Sequence, residues 1–378
     1  MKPTVARLGL LGSFLLIGAG LVSAQDQRAV FGNLAVETFA RGLNHPWGFA
    51  FLPQGQLLVT ERPGRMRLVD REGNLSKPLA GVPRVFATGQ GGLLDVATDR
   101  NFPQNATIYF CYAEPMDGGG RTSLARARLA TEGEPRLSDV EVIFRQQGPP
   151  SRSNHWGCRI VQTEDGNLFL TTGDHFTHRD QAQNLGNYIG KIVRIRPDGS
   201  VPPDNPFVDR EGARPEIWSY GHRNMQGAAL HPQTGQLWIV DHGARGGDEI
   251  NVVEAGKNYG WPVITYGVDY SGAKIGVGTR KQGMEQPIHY WDPSIAPSGM
   301  TFYTGDLFPS WRGNLFVGAL RGQMLVRLEL DGQKVAREER LLRNLGERIR
   351  DVRTGPDGAI WLLTDDSDGR ILRVVPAR

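Results

Sequence analysis

The residues of this sequence that could do chemistry stand at one recurring place, just ahead of a short apolar run. His155, in NHWGCRIVQ, sits between Asn154 and Trp156, and an imidazole there can take up a proton near neutral pH. The plainer reading is a hydrogen-bonded rim residue. Arg223 and Asn224, in YGHRNMQG, precede a second run, and Arg348 and Arg350, in ERIRDVR, precede a third. The two-residue interval puts the last pair on one face of a strand. Gln90, in GQGGLLDVA, enters a fourth run in the same way. Any one of the arginines alone reads as a solvated charge. Converging, they suit a guest with several carboxylates, held through planar charge-assisted hydrogen bonds.

A second pattern is DHGARGGDE, Asp241 to Glu249. Its glycines allow close backbone approach, and carbonyls beside Asp248 and Glu249 could offer hard oxygen ligands to Ca²⁺. It lacks the EF-hand spacing, and an ordinary acidic turn has the same composition. His45, His175, His178, His222 and His242 lie in similar loops without zinc-site spacing. No Ser-His-Asp order, nucleophile elbow or GxGxxG after a strand is present.

Positioning these residues requires a repeated element, and one is visible. From Asn154 to Asp174 the chain reads as a strand over Cys158–Gln162, a turn at Asp165-Gly166 and a strand over Leu168–Thr172. Related units recur, with turns near residues 54, 104, 165, 234, 312 and 357. Six strand-rich units at irregular spacing predict an all-β, six-bladed β-propeller, with Ala35–Phe39 closing the last blade. A β-sandwich would need fewer, more even strands. No helix of ordinary length is expected. The long connections, Arg145–Asn154, Gly173–Gly190, Ser200–Asn224 and Asn258–Ser298, are where a binding surface would be built.

Residues 1–24 read as a signal peptide, with Lys2 and Arg7, an apolar run, and Val22-Ser23-Ala24 as a small-residue exit. Residues 25–378 then form one domain, exported to the periplasm or secreted, with no membrane insertion once the signal is removed. Hydrophobic residues at 39% supply a core, and 49 glycines with 24 prolines supply turns. Without Lys2 and Arg7 the formal charge of +3 falls to +1, and no basic run suggests nucleic acid. Cys111 and Cys158 are the only cysteines. An exported chain permits their pairing, but both lie in expected strands, and simple burial of each is the favoured reading.

With these residues in hand, the sequence resembles the soluble aldose sugar dehydrogenases that depend on pyrroloquinoline quinone (PQQ), relatives of soluble glucose dehydrogenase. The likeness spans nearly the whole mature chain, through NHPWGFAFLPQGQLLVTER, GQGGLLDVA, NHWGCRIV, PEIWSYGHRNMQG, DHGARGGDEIN, GKNYGWP and IRDVRTGPDG. It implies a six-bladed propeller with PQQ and Ca²⁺ over one face. By position, His155 matches the catalytic base, with Arg223 polarising the quinone oxygen. Gln90, Asn224, Arg321, Arg348 and Arg350 match residues around PQQ. Gly243 and Ala244 match the carbonyl pair on the catalytic Ca²⁺, and Glu249, Asn258 and Tyr259 match a structural Ca²⁺ region. Arg321 stands where the family commonly has lysine, Ala244 and Met225 where it often has proline. These departures bear on affinity more than on reaction type. The implied reaction is oxidation of an aldose to a lactone, by hydride transfer from C1, with electrons passed to an external acceptor by a monomer or homodimer. A Ca²⁺-dependent sugar-lactone hydrolase and a non-enzymatic carbohydrate- or protein-binding propeller are the alternatives on such a ring.

Overall fold

A computed structural model describes Met1 and residues 28–377; the expected signal peptide, beyond Met1, lies outside the described residues. A hairpin of β1 (Arg28–Phe31) and β2 (Leu34–Leu43) leads in. The first blade has three strands, β3 (Pro46–Phe51), β4 (Leu57–Glu61) and β5 (Arg65–Val69). The second has β6 (Leu93–Thr98), β7 (Thr107–Met116), β8 (Gly119–Ala130) and β9 (Arg136–Arg145). A single helical turn, α1 (Phe102–Asn105), occupies the turn between β6 and β7. The third is β10 (Gly157–Gln162), β11 (Leu168–Thr172), β12 (Lys191–Ile195) and β13 (Ile217–Tyr220). The fourth is β14 (Met225–Leu230), β15 (Leu237–Asp241), β16 (Asp248–Val253) and β17 (His289–Trp291). The fifth is β18 (Pro297–Phe302), β19 (Leu315–Ala319), β20 (Met324–Asp331) and β21 (Lys334–Leu341).

The sixth blade closes the ring. Its β22 (Ile349–Thr354), β23 (Ile360–Thr364) and β24 (Gly369–Pro376) are joined by β2, with Leu34 opposite Pro376 and Ala35 opposite Val375. β2 is longer than the expected Ala35–Phe39, and β1 adds a fifth, outer strand. The fold is the six-bladed propeller that the repeats predict. The short outer strands β13 and β17 lie inside stretches read from sequence as insertions. With four and three residues they are too brief to show a period.

Position in the blade decides the strand pattern. Every residue of β4, β11, β15, β19 and β23 is buried, because each second strand has a neighbouring blade on both faces. Continuous apolar runs such as LFLTT and IWLLT are what such a place selects. At the closure, Phe49, Leu57 and Val59 of the first blade meet Ala35, Trp361 and Leu363 of the sixth in one apolar cluster. Cys111 and Cys158 are joined in a disulfide, so β7 of the second blade is tied to β10 of the third.

All six innermost strands share a device at their entrances. β3, β6, β10, β14, β18 and β22 each lose register with the second strand of the blade within their first few residues. Such a bulge bends the strand and re-aims the side chains inside it. Trp47, Leu94, Gln226 and Arg350 sit within these shifts and line one cavity at the axis. Farther along the axis, Arg159 meets Asp95 at 3.3 Å and Asp351 at 3.1 Å, and Arg353 meets the same carboxylates at 2.9 and 3.0 Å. These four charges line a separate cavity at the opposite mouth.

Candidate active site

His155 lies between the end of the second blade and β10, buried and with a left-handed backbone (φ 57°). Three neighbours hold it there. Its N–H donates to Gln90 Oε1 (2.9 Å), its Nδ1 lies 2.6 Å from Asp174 Oδ1, and the ring of Phe176 meets its own edge-on. Asp174 is itself fixed: its Oδ2 accepts from Trp261 Nε1 (2.8 Å), its Oδ1 accepts from the Phe176 N–H (2.7 Å), and its own N–H donates to the Arg223 carbonyl (2.8 Å). Burial raises the Asp174 carboxyl, but His155 and Arg223 outweigh it and hold it below the usual range. An ionised Asp174 makes Nδ1 the donor, which leaves Nε2 as the lone-pair nitrogen. Burial pushes the imidazole down to about 4, the Arg223 charge adds to this, and Asp174 opposes it. His155 is therefore neutral, with one nitrogen oriented and the other able to accept a proton.

Beside it lies the axial cavity, about 180 Å³, lined by Gln90, Asn224, Arg348 and Arg350. Four of the expected residues are thus brought together. Arg350 donates to Gln226 Oε1 (3.0 Å) and to Asp365 Oδ2 (3.0 Å), and Arg348 donates to the same Asp365 oxygen (3.2 Å). Burial raises the Asp365 carboxyl, yet Arg350, His45 and Arg348 carry it well below the ordinary range. Asn224 Oδ1 accepts from the Gly157 N–H and from Gln226 Nε2, both at 3.1 Å. The buried Nε of Arg350 has no partner among the described residues. A cavity that concentrates guanidinium groups and leaves a buried N–H free suits an anionic, multiply accepting guest.

Arg321 is different. It is exposed and makes no hydrogen bond or ion pair among the described residues, although its neighbour Leu320 lines the cavity. Sequence reasoning also missed wall residues: Trp47, Arg62, Leu94, Gln226, His242 and Asp365. Gln226 carried a usable signal, since it stands two residues after Asn224 on the same strand face. Asp365 did not, because only pairing of β22 with β23 brings it to the arginines.

Arg223 faces a second, smaller cavity of about 20 Å³, with Asp241, His242, Gly243, Glu249 and Tyr259 around it. His242 lines both cavities. Arg223 donates to the carbonyls of His242 (2.8 Å) and Gly243 (2.6 Å), and its buried Nε has no partner among the described residues. Enclosure pushes the Glu249 carboxyl up to about 8, with Asp241 and Asp248 adding to the effect. Ala244 is buried next to Gly243, and Asn258 is tied by its side chain to Gln183 and the Gly260 N–H. Among the described residues no three His, Cys, Asp or Glu side chains form a metal cluster. The donors are instead the carboxylates of Asp241 and Glu249 and a set of carbonyls around a space of about one water. That all-oxygen set, with a carboxyl that gains from a nearby positive charge, fits a hard cation such as Ca²⁺.

A family model described as glucose/sorbosone dehydrogenase matches residues 43–373. The aldose sugar dehydrogenase YliI of Escherichia coli strain K12 is 46% identical over 345 residues, covering 90% of this chain and 92% of that protein. A crystal structure of a glucose dehydrogenase superposes with TM-score 0.88 at 50% identity, over 91% of this chain and 99% of the other. The PQQ-bound form of an aldose sugar dehydrogenase from Streptomyces coelicolor superposes with TM-score 0.75 at 29% identity, over 92% and 99%. On the ring, the axial cavity and these matches together, the chain belongs to the glucose/sorbosone dehydrogenase family.

Proposed function

We infer that this chain is an oxidoreductase that oxidises aldose sugars to lactones with PQQ, passing the electrons to an external acceptor. The observation that carries the reading is the neutral, oriented His155, whose N–H is held by Gln90 in the wall of an arginine-lined cavity. The family relatives named for aldose or glucose oxidation support it. PQQ, when bound, supplies the two-electron acceptor.

The chain's own residues do the rest. Arg348, Arg350, Gln90 and Asn224 would hold the cofactor, and Arg321 would add positive charge from outside the cavity. His155 Nε2 takes the proton from the anomeric hydroxyl while Asp174 holds Nδ1, so the imidazolium that forms has its counter-charge ready. Arg223 contributes fixed positive charge where negative charge develops. Gly243 and Ala244 would hold the catalytic Ca²⁺ through their carbonyls, and Glu249 with the Asn258-Tyr259 backbone would hold a structural one. The work is done outside the cytoplasm after loss of Met1–Ala24, by a single domain that functions as a monomer or homodimer.

The test is reconstitution of metal-free protein with PQQ and Ca²⁺, each omitted in turn, against a panel of aldoses and an artificial dye. Dye reduction should require sugar and cofactor together. Lactone opening without any acceptor would instead indicate a hydrolase, and no turnover under any condition would leave a binding propeller.

A further inference from the structure

Lys191, the first residue of β12, is fully buried with no carboxylate within ion-pair distance among the described residues. Its ammonium instead donates to three carbonyls, Gln181 and Ala182 at 3.0 Å each and Ile189 at 2.6 Å. All three N–H donors of the group are thus used. Burying a charge without a counter-ion is costly, and burial pushes this lysine down to about 7. A methionine or leucine would fill the space without that cost. Three carbonyl oxygens converge on the ammonium and supply the partners that make its burial tolerable.

Those carbonyls belong to the 173–190 connection, whose second residue is Asp174, the partner of His155. Gln181 and Ala182 lie in its short helical turn (Arg179–Gln183), and Ile189 lies at its far end. The same connection is laced to the segment carrying Arg223. The Ala182 carbonyl also accepts the Gly221 N–H (3.1 Å), the His222 N–H donates to Gly190 O (3.2 Å), and the Gly190 N–H donates to Gly173 O (3.0 Å). His222 is close enough to Lys191 to be depressed by its charge.

We propose that Lys191 is a positioning residue whose ammonium acts as a built-in cation, pinning three carbonyls so that Asp174 and Arg223 are held in place for His155. Its catalytic consequence rests on the proposed function; its structural part does not. Two readouts separate them. In cofactor-free full-length protein, Lys191→Met should raise hydrogen exchange of amides in residues 174–190 and 221–223, leaving the first, second, fifth and sixth blades unchanged. In the reconstituted enzyme, kcat should fall roughly 10- to 100-fold, as displacement of a reacting group does, with KM for the sugar little changed. Lys191→Ala opens the carbonyl cage, so added ammonium or methylammonium chloride should restore part of the exchange protection and of kcat. Tetramethylammonium chloride at equal ionic strength, having no N–H, should not. Lys191→Gln, with N–H donors but no charge, covers the case in which the truncated side chain fails to fold. Wild-type exchange and kcat in Lys191→Met, or a general loosening that ammonium does not reverse, would overturn the proposal. Absence of aldose turnover in the wild type would sink the functional reading alone, since exchange and its rescue would still judge the clamp.

Discussion

At the scale of single residues, the imidazole of His155 has two different nitrogens because Asp174 takes one of them. With its pKa pushed down to about 4, largely by burial and then by Arg223, His155 keeps its lone pair, and with it the proposed role of base, well into the acid range. In kcat/KM against pH, the acid limb assigned to this group should fall near pH 4 rather than near the 6.5 of a free imidazole. Asp174→Asn removes a charge that raises this pKa, so the limb should move lower still. It also loses the tautomer control, and kcat should drop by roughly 10²-fold, as should His155→Ala. Stability follows the same titration. The folded pKa lies below the unfolded one, so the unfolded chain takes up the proton first, and this group's contribution is lost as pH falls from about 6.5 towards 4. A urea midpoint that rose on acidification across that window in wild type, relative to His155→Gln, would contradict the assignment. The sequence offered His155 as a candidate base and Arg223, Arg348 and Arg350 as candidate anion holders, because each stands at the entrance of an innermost strand. Asp174 closes a visible strand, yet nothing in TTGD says that its carboxylate turns towards a residue nineteen positions earlier. Arg321, placed by motif position, is exposed.

At the scale of elements, the ends of β10 and β11 decide where His155 stands. A Cβ built on Gly173, just past β11, would lie 2.0 Å from the His155 carbonyl oxygen and 2.4 Å from its carbonyl carbon. Backbone atoms cannot yield as a flexible side chain can. Gly173→Ala should therefore shift His155 and lower kcat by at least tenfold, while the circular-dichroism signature of the sheet persists; an unchanged kcat would show that the two strand ends move freely. The disulfide reinforces this corner by linking Cys111 in β7 to Cys158 in β10, 47 residues apart. Replacing both cysteines with serine should cost about 2–4 kcal/mol, read from denaturant midpoints with and without reductant. The strands themselves were legible, since turns at residues 54, 104, 165, 234, 312 and 357 all separate the first and second strands of their blades. The entrance bulges were not. A register shift is a property of two paired strands, and one strand's sequence carries only half of it.

At the scale of the whole molecule, a six-bladed ring has an axis that must be blocked if its two mouths are to differ. Arg159, Asp95, Asp351 and Arg353 do this with charges from the second, third and sixth blades. Arg159 is the central member. Besides both carboxylates it donates to the carbonyls of Gln226 (2.5 Å) and Arg350 (3.2 Å), and its guanidinium lies 4.2 Å from the centre of the Trp47 ring. Three of its neighbours, Gln226, Arg350 and Trp47, line the axial cavity on the active side. The ring's closure by β2 and the plug at its centre are thus separate devices, one joining blades around the rim and one across the axis. Removing one partner from a buried ion network leaves the others desolvated and only partly compensated, typically at about 3–5 kcal/mol. Arg159→Met keeps most of the volume and ring contact but leaves Asp95 and Asp351 to Arg353 alone. It should lower unfolding free energy by about that amount and also weaken PQQ binding, because Gln226 and Arg350 lose the donor that fixes their backbone. Arg353→Met, at a more exposed position, should cost less and leave PQQ binding near wild type. Unchanged PQQ affinity in Arg159→Met by cofactor titration, alongside a lowered denaturant midpoint, would mean that the network acts only as a stabilising plug, with no hold on the active cavity.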